Sequence, residues 1–137
     1  MDKTLSVPQK MKLLFSIVDR GVGDKIVDTC KKHGVYFNII CLGRGTANTE
    51  ILNFLGIGET DKDIVLSSVV EDKIDEILKV LVDEMEFNKP GKGIAFTIPI
   101  GSVGGSATLQ VLSGLSGNWG EIFGYWKKIW SYNYYCK

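Results

Sequence analysis

The chain has 137 residues, 45% of them hydrophobic, and its 16 basic and 16 acidic side chains cancel in charge. This length favours a single domain with a core of its own. The balanced charge argues against the broad basic surface typical of nucleic-acid-binding proteins. No apolar stretch reaches the roughly 18 residues of a membrane span. Residues 1–10 lack the apolar core of a signal peptide, so we expect a cytoplasmic protein.

Candidate catalytic and metal-binding side chains are scarce. The three cysteines (Cys30, Cys41 and Cys136) are far apart and form no Cys-x-x-Cys pair, and His33 is the only histidine. A Ser-His catalytic pair or a histidine-rich metal site within one subunit would lack ligands. We therefore predict no catalytic residues, no metal site and no enzymatic activity.

The first half of the chain alternates strand and helix patterns. Residues 1–10 are polar and are expected to be flexible. Lys12–Asp19 is a compact apolar run, which predicts a buried strand, and a helical pattern follows that ends at Gly34. His33, in the last turn of this helix, is interpreted as a capping residue rather than a ligand. Val35–Gly43 carries apolar residues in both alternations and is predicted to be a central strand.

The second half repeats the pattern after a long connection, Arg44–Lys62. Long connections inside compact domains are usually functional or disordered. Asp63–Val70 predicts a third strand, the apolar spacing within residues 71–86 predicts a second amphipathic helix, and Gly93–Ile100 predicts a fourth strand. Pro99 marks the end of this last strand or an edge of the sheet.

A short internal repeat supports two related halves, since Val22–Ile26 and Val70–Ile74 share four of five residues and each opens a helix after a strand. Two strand–helix–strand units merge into an α+β, ferredoxin-like (βαβ)2 sandwich. Its four-stranded antiparallel sheet carries both helices on one face, with the long loop between strands 2 and 3. The opposite face is apolar and uncovered, and self-association is its simplest cover.

The chain resembles the PII nitrogen-regulatory signal-transduction proteins, as a divergent member, from about Met11 to Val103. The resemblance rests on the duplicated order, the long loop and two short signatures. These are Gly43-Arg44-Gly45 before the loop and the segment Gly91–Phe96 before the last strand. It implies a cytoplasmic homotrimer that binds ATP or ADP between subunits and contacts a target enzyme, transporter or channel through its long loop.

The resemblance also implies which residues bind the nucleotide. Glycines that allow close backbone approach and lysines that add a point charge suit a phosphate site. The implied set, a phosphate turn with the base of the loop, is Gly43, Arg44, Gly45, Lys89, Gly91, Lys92 and Gly93. The surface offered to the partner is the apolar part of the loop, formed by Thr49, Glu50, Ile51, Leu52, Phe54 and Leu55.

Two features depart from the family pattern. Arg44–Lys62 contains no tyrosine, so the uridylylation found in many bacterial members is not expected. Ile100–Gly114 contains no basic residue where the family supplies an arginine pair to the phosphates. A different small ligand, such as a cyclic dinucleotide or bicarbonate, is therefore an alternative to ATP or ADP.

Each candidate binding residue also has a purely structural interpretation. Lys92 and Lys89 could be solvated lysines after a helix, and Arg44 could pair with Glu50 or Asp61. The glycine-rich residues 101–107 could form a backbone anion nest, but a flexible tail is favoured slightly. The apolar centre of the loop could instead fold against its own subunit.

The carboxyl end forms a distinct segment. We divide the chain into a flexible segment (1–10), a PII-like domain (11–105) and a carboxy-terminal extension (106–137). Aromatic and aliphatic residues recur at helical spacing within the tryptophan-rich Ser116–Lys137. This segment could cover the apolar surface of its own trimer, or dock at a membrane surface or on a membrane protein.

The function predicted from these patterns is a trimeric regulatory protein that binds a small effector, with an adenine nucleotide favoured, and acts on a partner through residues 44–62. The alternatives are a divalent-cation-binding trimer of the same fold, an enzyme on the same scaffold, and a structural or adaptor oligomer that binds no nucleotide.

Overall fold

The computed structural model describes residues 10–46, 50 and 61–113. In chain order the elements are β1 (Met11–Asp19), α1 (Gly23–Lys32), β2 (Asn38–Arg44), β3 (Asp61–Val70), a 3-10 turn (Glu71–Lys73), α2 (Ile74–Met85), β4 (Ile94–Pro99) and α3 (Ser106–Ser113). The sheet order is β2-β3-β1-β4, and every neighbouring pair is antiparallel. This is the predicted ferredoxin-like fold.

The core lies between one sheet face and the helices α1 and α2. Along β1, Leu14 and Val18 point into it, and from β3 Val65 and Val69 do the same. The helices supply every third or fourth residue, as their apolar spacing predicts. These buried helical residues are Ile26, Cys30, Ile74, Ile77, Leu81 and Met85. Burial raises the pKa of the Cys30 thiol, although a contact with the Ser67 hydroxyl opposes the shift, so this cysteine is a core residue.

The other face of the sheet, which we call the open face, is also apolar. Phe15 and Phe96 are cross-strand partners on it, with parallel rings whose centroids are 5.2 Å apart. Ile39, Phe96 and Ile98 each keep more than two fifths of their surface exposed. Strand alternation and register place these residues on the open face: Leu13, Phe15, Ile17, Ile39, Ile64, Leu66, Ile94, Phe96 and Ile98. The prediction of an uncovered apolar face is thus met within the described residues.

The prediction that Val35–Gly43 forms a central strand is wrong, because β2 is an edge strand that pairs with β3 alone. Apolar residues on both faces indicate that both faces can be buried, but they carry no information about pairing along the strand's edges. On this edge strand the apolar side chain of Leu42 stays 71% exposed.

The preference for a flexible tail at residues 101–107 needs correction at Ser106 and Ala107, which begin a helix, whereas residues 101–105 lie outside any helix or strand. Residues 106–113 form α3, which packs against β3. Its Leu112 and Ser113 line a cleft together with Phe37 and Ser68. Gly104 and Gly105, which suggested flexibility, lie just before this helix. No helix within the described ranges is long and apolar enough to cross a bilayer.

Candidate functional site

The predicted base of the long loop lies at the end of the edge strand β2. Gly43 and Arg44 are the last two residues of β2, and they pair with Lys62 and Asp61 at the start of β3. Arg44 is exposed, and within the described residues it forms no ion pair with Glu50 or Asp61. The structural interpretation of Arg44 as the partner of either carboxylate is therefore not supported.

The predicted phosphate turn connects α2 to the opposite edge strand, β4. Gly91 and Gly93 both have positive φ, at 90° and 123°. At Gly93 the chain also approaches β1 so closely that a Cβ atom would lie 2.6 Å from the Ile17 carbonyl oxygen. Both constraints come from the fold itself, so a glycine at position 93 is required whether or not a phosphate binds.

Both lysines of this turn contact one carboxylate. The Glu86 side chain lies 2.5 Å from Lys89 Nζ through one oxygen and 3.6 Å from Lys92 Nζ through the other. Glu86 itself caps α2 in the left-handed conformation, with φ of 56°. An anion arriving at this turn would therefore compete with Glu86 for the two ammonium groups.

The Glu86 carboxyl should titrate below its ordinary range. The hydrogen bond and charge of Lys89, with a smaller contribution from Lys92, lower its pKa. A lowered folded-state pKa means that the ion pair stabilises the fold above the unfolded pKa and is lost as pH falls through the folded one. Carboxyl chemical shifts followed by NMR against pH should show this, and Lys89→Ala should return the pKa of Glu86 towards its usual value. An unchanged midpoint in that variant would mean that the contact does not persist in solution.

The two halves of the predicted nucleotide site lie at one end of the sheet but at opposite edges. The β2–β3 pairing ends at Arg44 and Asp61, and the β1–β4 pairing ends at Ile17 and Ile94. Because β3 and β1 lie between, three strand spacings of roughly 4.8 Å separate the edges by about 14 Å. A single subunit thus does not bring the loop base and the lysine turn into contact.

A buried carboxylate at this end of the sheet, that of Asp63, was not predicted from the sequence. The buried carboxylate of Asp63 accepts hydrogen bonds from the backbone N–H groups of Gly21 (2.9 Å) and Gly23 (3.1 Å). Its other oxygen lies 3.2 Å from Nε of Arg20. The position of the two residues in the fold could have indicated this pair, because Arg20 directly follows β1 and Asp63 lies early in β3, at the same end of the sheet.

A second ion pair adjoins the first. Lys62 is only 8% exposed, and its ammonium group contacts the carboxylate of Asp19, its cross-strand partner. Opposite charges directly across an antiparallel pair favour this register. The end of the sheet near the loop base is therefore organised by charged side chains that are paired with one another.

Much of the predicted partner surface lies outside the described residues. Thr49, Ile51, Leu52, Phe54 and Leu55 fall there, as does Ser116–Lys137, and Glu50 is exposed. Among the described residues, no group of three or more His, Cys, Asp or Glu side chains is arranged to hold a metal ion.

Comparison with known proteins identifies the fold. No protein-family model and no curated protein matches the sequence. Among solved structures, the chain is similar to PII of Arabidopsis thaliana bound to citrate, with a TM-score of 0.54, 16% identity, and coverage of 73% of this chain and 83% of that one. The chain has the PII fold. The resemblance predicted from the sequence is thereby confirmed at the level of the fold.

Two further solved structures are similar. A protein related to NIF3 from Bacillus cereus matches with a TM-score of 0.53 and 11% identity, over 73% of this chain but 27% of that one. The apo form of CPII, a nitrogen regulatory PII-like protein from Thiomonas intermedia K12, has a TM-score of 0.49 and 17% identity, covering 66% of this chain and 89% of that one. Neither structure is more than 17% identical in sequence to this chain.

Proposed function

We propose that this chain is a non-enzymatic regulatory protein of the PII type. It assembles into a homotrimer in the cytoplasm and binds a small anionic effector, ATP or ADP in the first instance, in clefts between subunits. The loop 44–62 then acts on a partner protein. Effector binding favours one conformation of the loop because the ligand has a higher affinity for that state.

One observation carries the proposal: the loop base and the lysine turn lie at the same end of the sheet but on its two opposite edges. Within one subunit the two halves are about 14 Å apart and cannot contact the same phosphate group. When β2 of one subunit lies beside β4 of a neighbour, Gly43–Gly45 and Lys89–Gly93 come together. A cleft between subunits therefore uses both segments, whereas a site within one chain would use only one.

The open face supports assembly. Its exposed isoleucines and Phe96 form a continuous apolar surface on one side of the sheet. Contiguous apolar patches of this kind on soluble proteins mark interaction surfaces. A symmetric oligomer that packs these faces together removes them from water and brings the sheet edges of different subunits close.

The lysine turn supplies the chemistry for an anion. Lys89 and Lys92 are more than half exposed, so their ammonium groups can reach a ligand. The positive φ values of Gly91 and Gly93 give the turn the kind of backbone that can direct N–H groups at phosphate oxygens. An anion that binds these lysines must first displace the carboxylate of Glu86 from them.

The test is a thermal-shift titration of the full chain with ATP, ADP, AMP, cyclic AMP and cyclic di-AMP, with and without magnesium. At a hundredfold excess over Kd, a ligand stabilises by about 2.7 kcal/mol, which is a rise of roughly 5–10 °C in Tm for a domain of this size. Lys92→Ala should abolish most of this rise. Lys32→Ala, an exposed lysine at the far end of α1, should leave it unchanged.

Light scattering on the same samples measures the assembly. A trimer with nucleotide-dependent stabilisation agrees with the proposal. A monomer, or a Tm that none of the ligands changes, would contradict it and favour an adaptor role for the loop. A rise in Tm with divalent cations alone would favour the cation-binding alternative.

A further inference from the structure

The Arg20 side chain joins the two stems of the long loop. Its Nη2 donates to the carbonyl oxygen of Gly43 (3.1 Å), where the chain enters the loop, and to that of Lys62 (3.2 Å), where the chain returns. These two residues are cross-strand partners. One guanidinium nitrogen therefore spans the neck of the loop from a third element, the turn after β1.

Asp63 holds the guanidinium in place. Its carboxylate lies 3.2 Å from Arg20 Nε, and only 6% of its side chain is exposed. The same carboxylate binds the N–H groups of Gly21 and Gly23, so it also caps the amino terminus of α1. Gly23 permits this approach, since a Cβ atom there would lie 2.9 Å from the carboxylate oxygen.

This arrangement needs arginine in particular. Nη2 of the planar guanidinium carries two N–H donors at fixed angles, one for each carbonyl oxygen, while Nε forms an ion pair with Asp63 Oδ1 that is not aligned as a hydrogen bond. A lysine could balance the charge of Asp63, but its single ammonium group cannot keep the same fixed geometry. The first N–H group of α1, that of Gly23, already donates to this carboxylate.

We infer that Arg20 is a positioning residue for the base of the long loop. It fixes Gly43 and Lys62 relative to each other and to the start of α1, and so sets the orientation in which Gly43–Gly45 meets a ligand. The use of this positioning in effector binding rests on the proposed function. The positioning itself does not.

Hydrogen exchange of the unliganded protein tests the positioning directly. In Arg20→Ala, amides of residues 41–45 and 61–63 should exchange at least tenfold faster than in the wild type. Amides of residues 95–98 in β4, away from the loop, should change less than twofold. Arg20→Lys should resemble Arg20→Ala at the stems. Lys12→Ala, which removes a partly exposed ion pair with Glu71 (3.8 Å) at the other end of β1, is the control and should alter neither region.

Two outcomes would overturn the inference. Equal acceleration in β4 and in the stems would mean that Arg20 only stabilises the whole fold. Wild-type exchange in Arg20→Lys would mean that only its charge matters.

A measurement of ATP affinity tests whether Arg20 also affects ligand binding. If wild type binds ATP, Arg20→Ala should weaken binding at least tenfold while Lys12→Ala does not, and unchanged affinity would overturn the link. If wild type binds no nucleotide, the proposed function fails, and the exchange result still decides the role of Arg20 on its own.

Discussion

Replacement of Asp63 by alanine is expected to lower the free energy of unfolding by about 3 kcal/mol, the lower end of the range for breaking a buried ion pair. The carboxylate is buried, and its loss leaves the N–H groups of Gly21 and Gly23 without their acceptor. Arg20 would also lose its counterion. The lower end applies because the Arg20 side chain is 37% exposed and can regain water.

Urea unfolding followed by circular dichroism measures this loss. Asp63→Asn retains an acceptor oxygen and the shape of the side chain, so it should recover part of the stability but not the ion pair. Asp28→Ala, an exposed carboxylate on α1, should change stability by less than about 0.5 kcal/mol. If Asp63→Ala were as mild as Asp28→Ala, the network at this end of the sheet would contribute little to the fold.

Gly93→Ala should be the second large effect, with a loss of about 2–4 kcal/mol from combined backbone strain and steric overlap. The residue has φ of 123°, and the new methyl group would overlap the Ile17 carbonyl oxygen and the Val18 side chain, at 2.6 Å and 2.9 Å. The overlap involves backbone on one side, so β4 would have to move away from β1.

Gly101→Ala is the matched control for this substitution, since no atom lies within 4 Å of the position that its new methyl group would take and its φ is not in the left-handed region. It should be neutral or stabilise slightly, because alanine reduces the freedom of the unfolded chain. Thermal unfolding of the two variants side by side measures the difference. Equal melting temperatures would show that β4 adjusts at little cost.

The glycines of the turn at residues 91–93 do not by themselves indicate a phosphate site. A short segment with Gly91, Lys92 and Gly93 resembles a phosphate-binding turn, yet the glycine at 93 is explained by the packing of β4 on β1. The residues that distinguish a ligand site from a simple connection are the lysines, whose exposed ion pairs with Glu86 contribute little to the fold. Lys92→Ala is therefore the informative substitution for binding, and Gly93→Ala is informative for the fold.

Most of the fold was predictable because its signals are local. Alternation and apolar spacing identified four strands and two helices, and the repeat at Val22–Ile26 and Val70–Ile74 indicated two related halves. The apolar open face followed from strands that are hydrophobic on both sides. The helix Ser106–Ser113 was missed because it follows a glycine-rich segment and has a weakly amphipathic sequence.

The sequence by itself determined the order of the elements, the face of each helix that is buried and the presence of a second apolar sheet face, since these depend on residue periods of 3.6 and 2. Only the tertiary structure decided that β2 lies at an edge, that the two signature segments lie on opposite edges, and that Arg20 meets Asp63, Gly43 and Lys62. The reason is that strand order and contacts between residues distant in the chain depend on how the elements pack, and no local pattern encodes that packing.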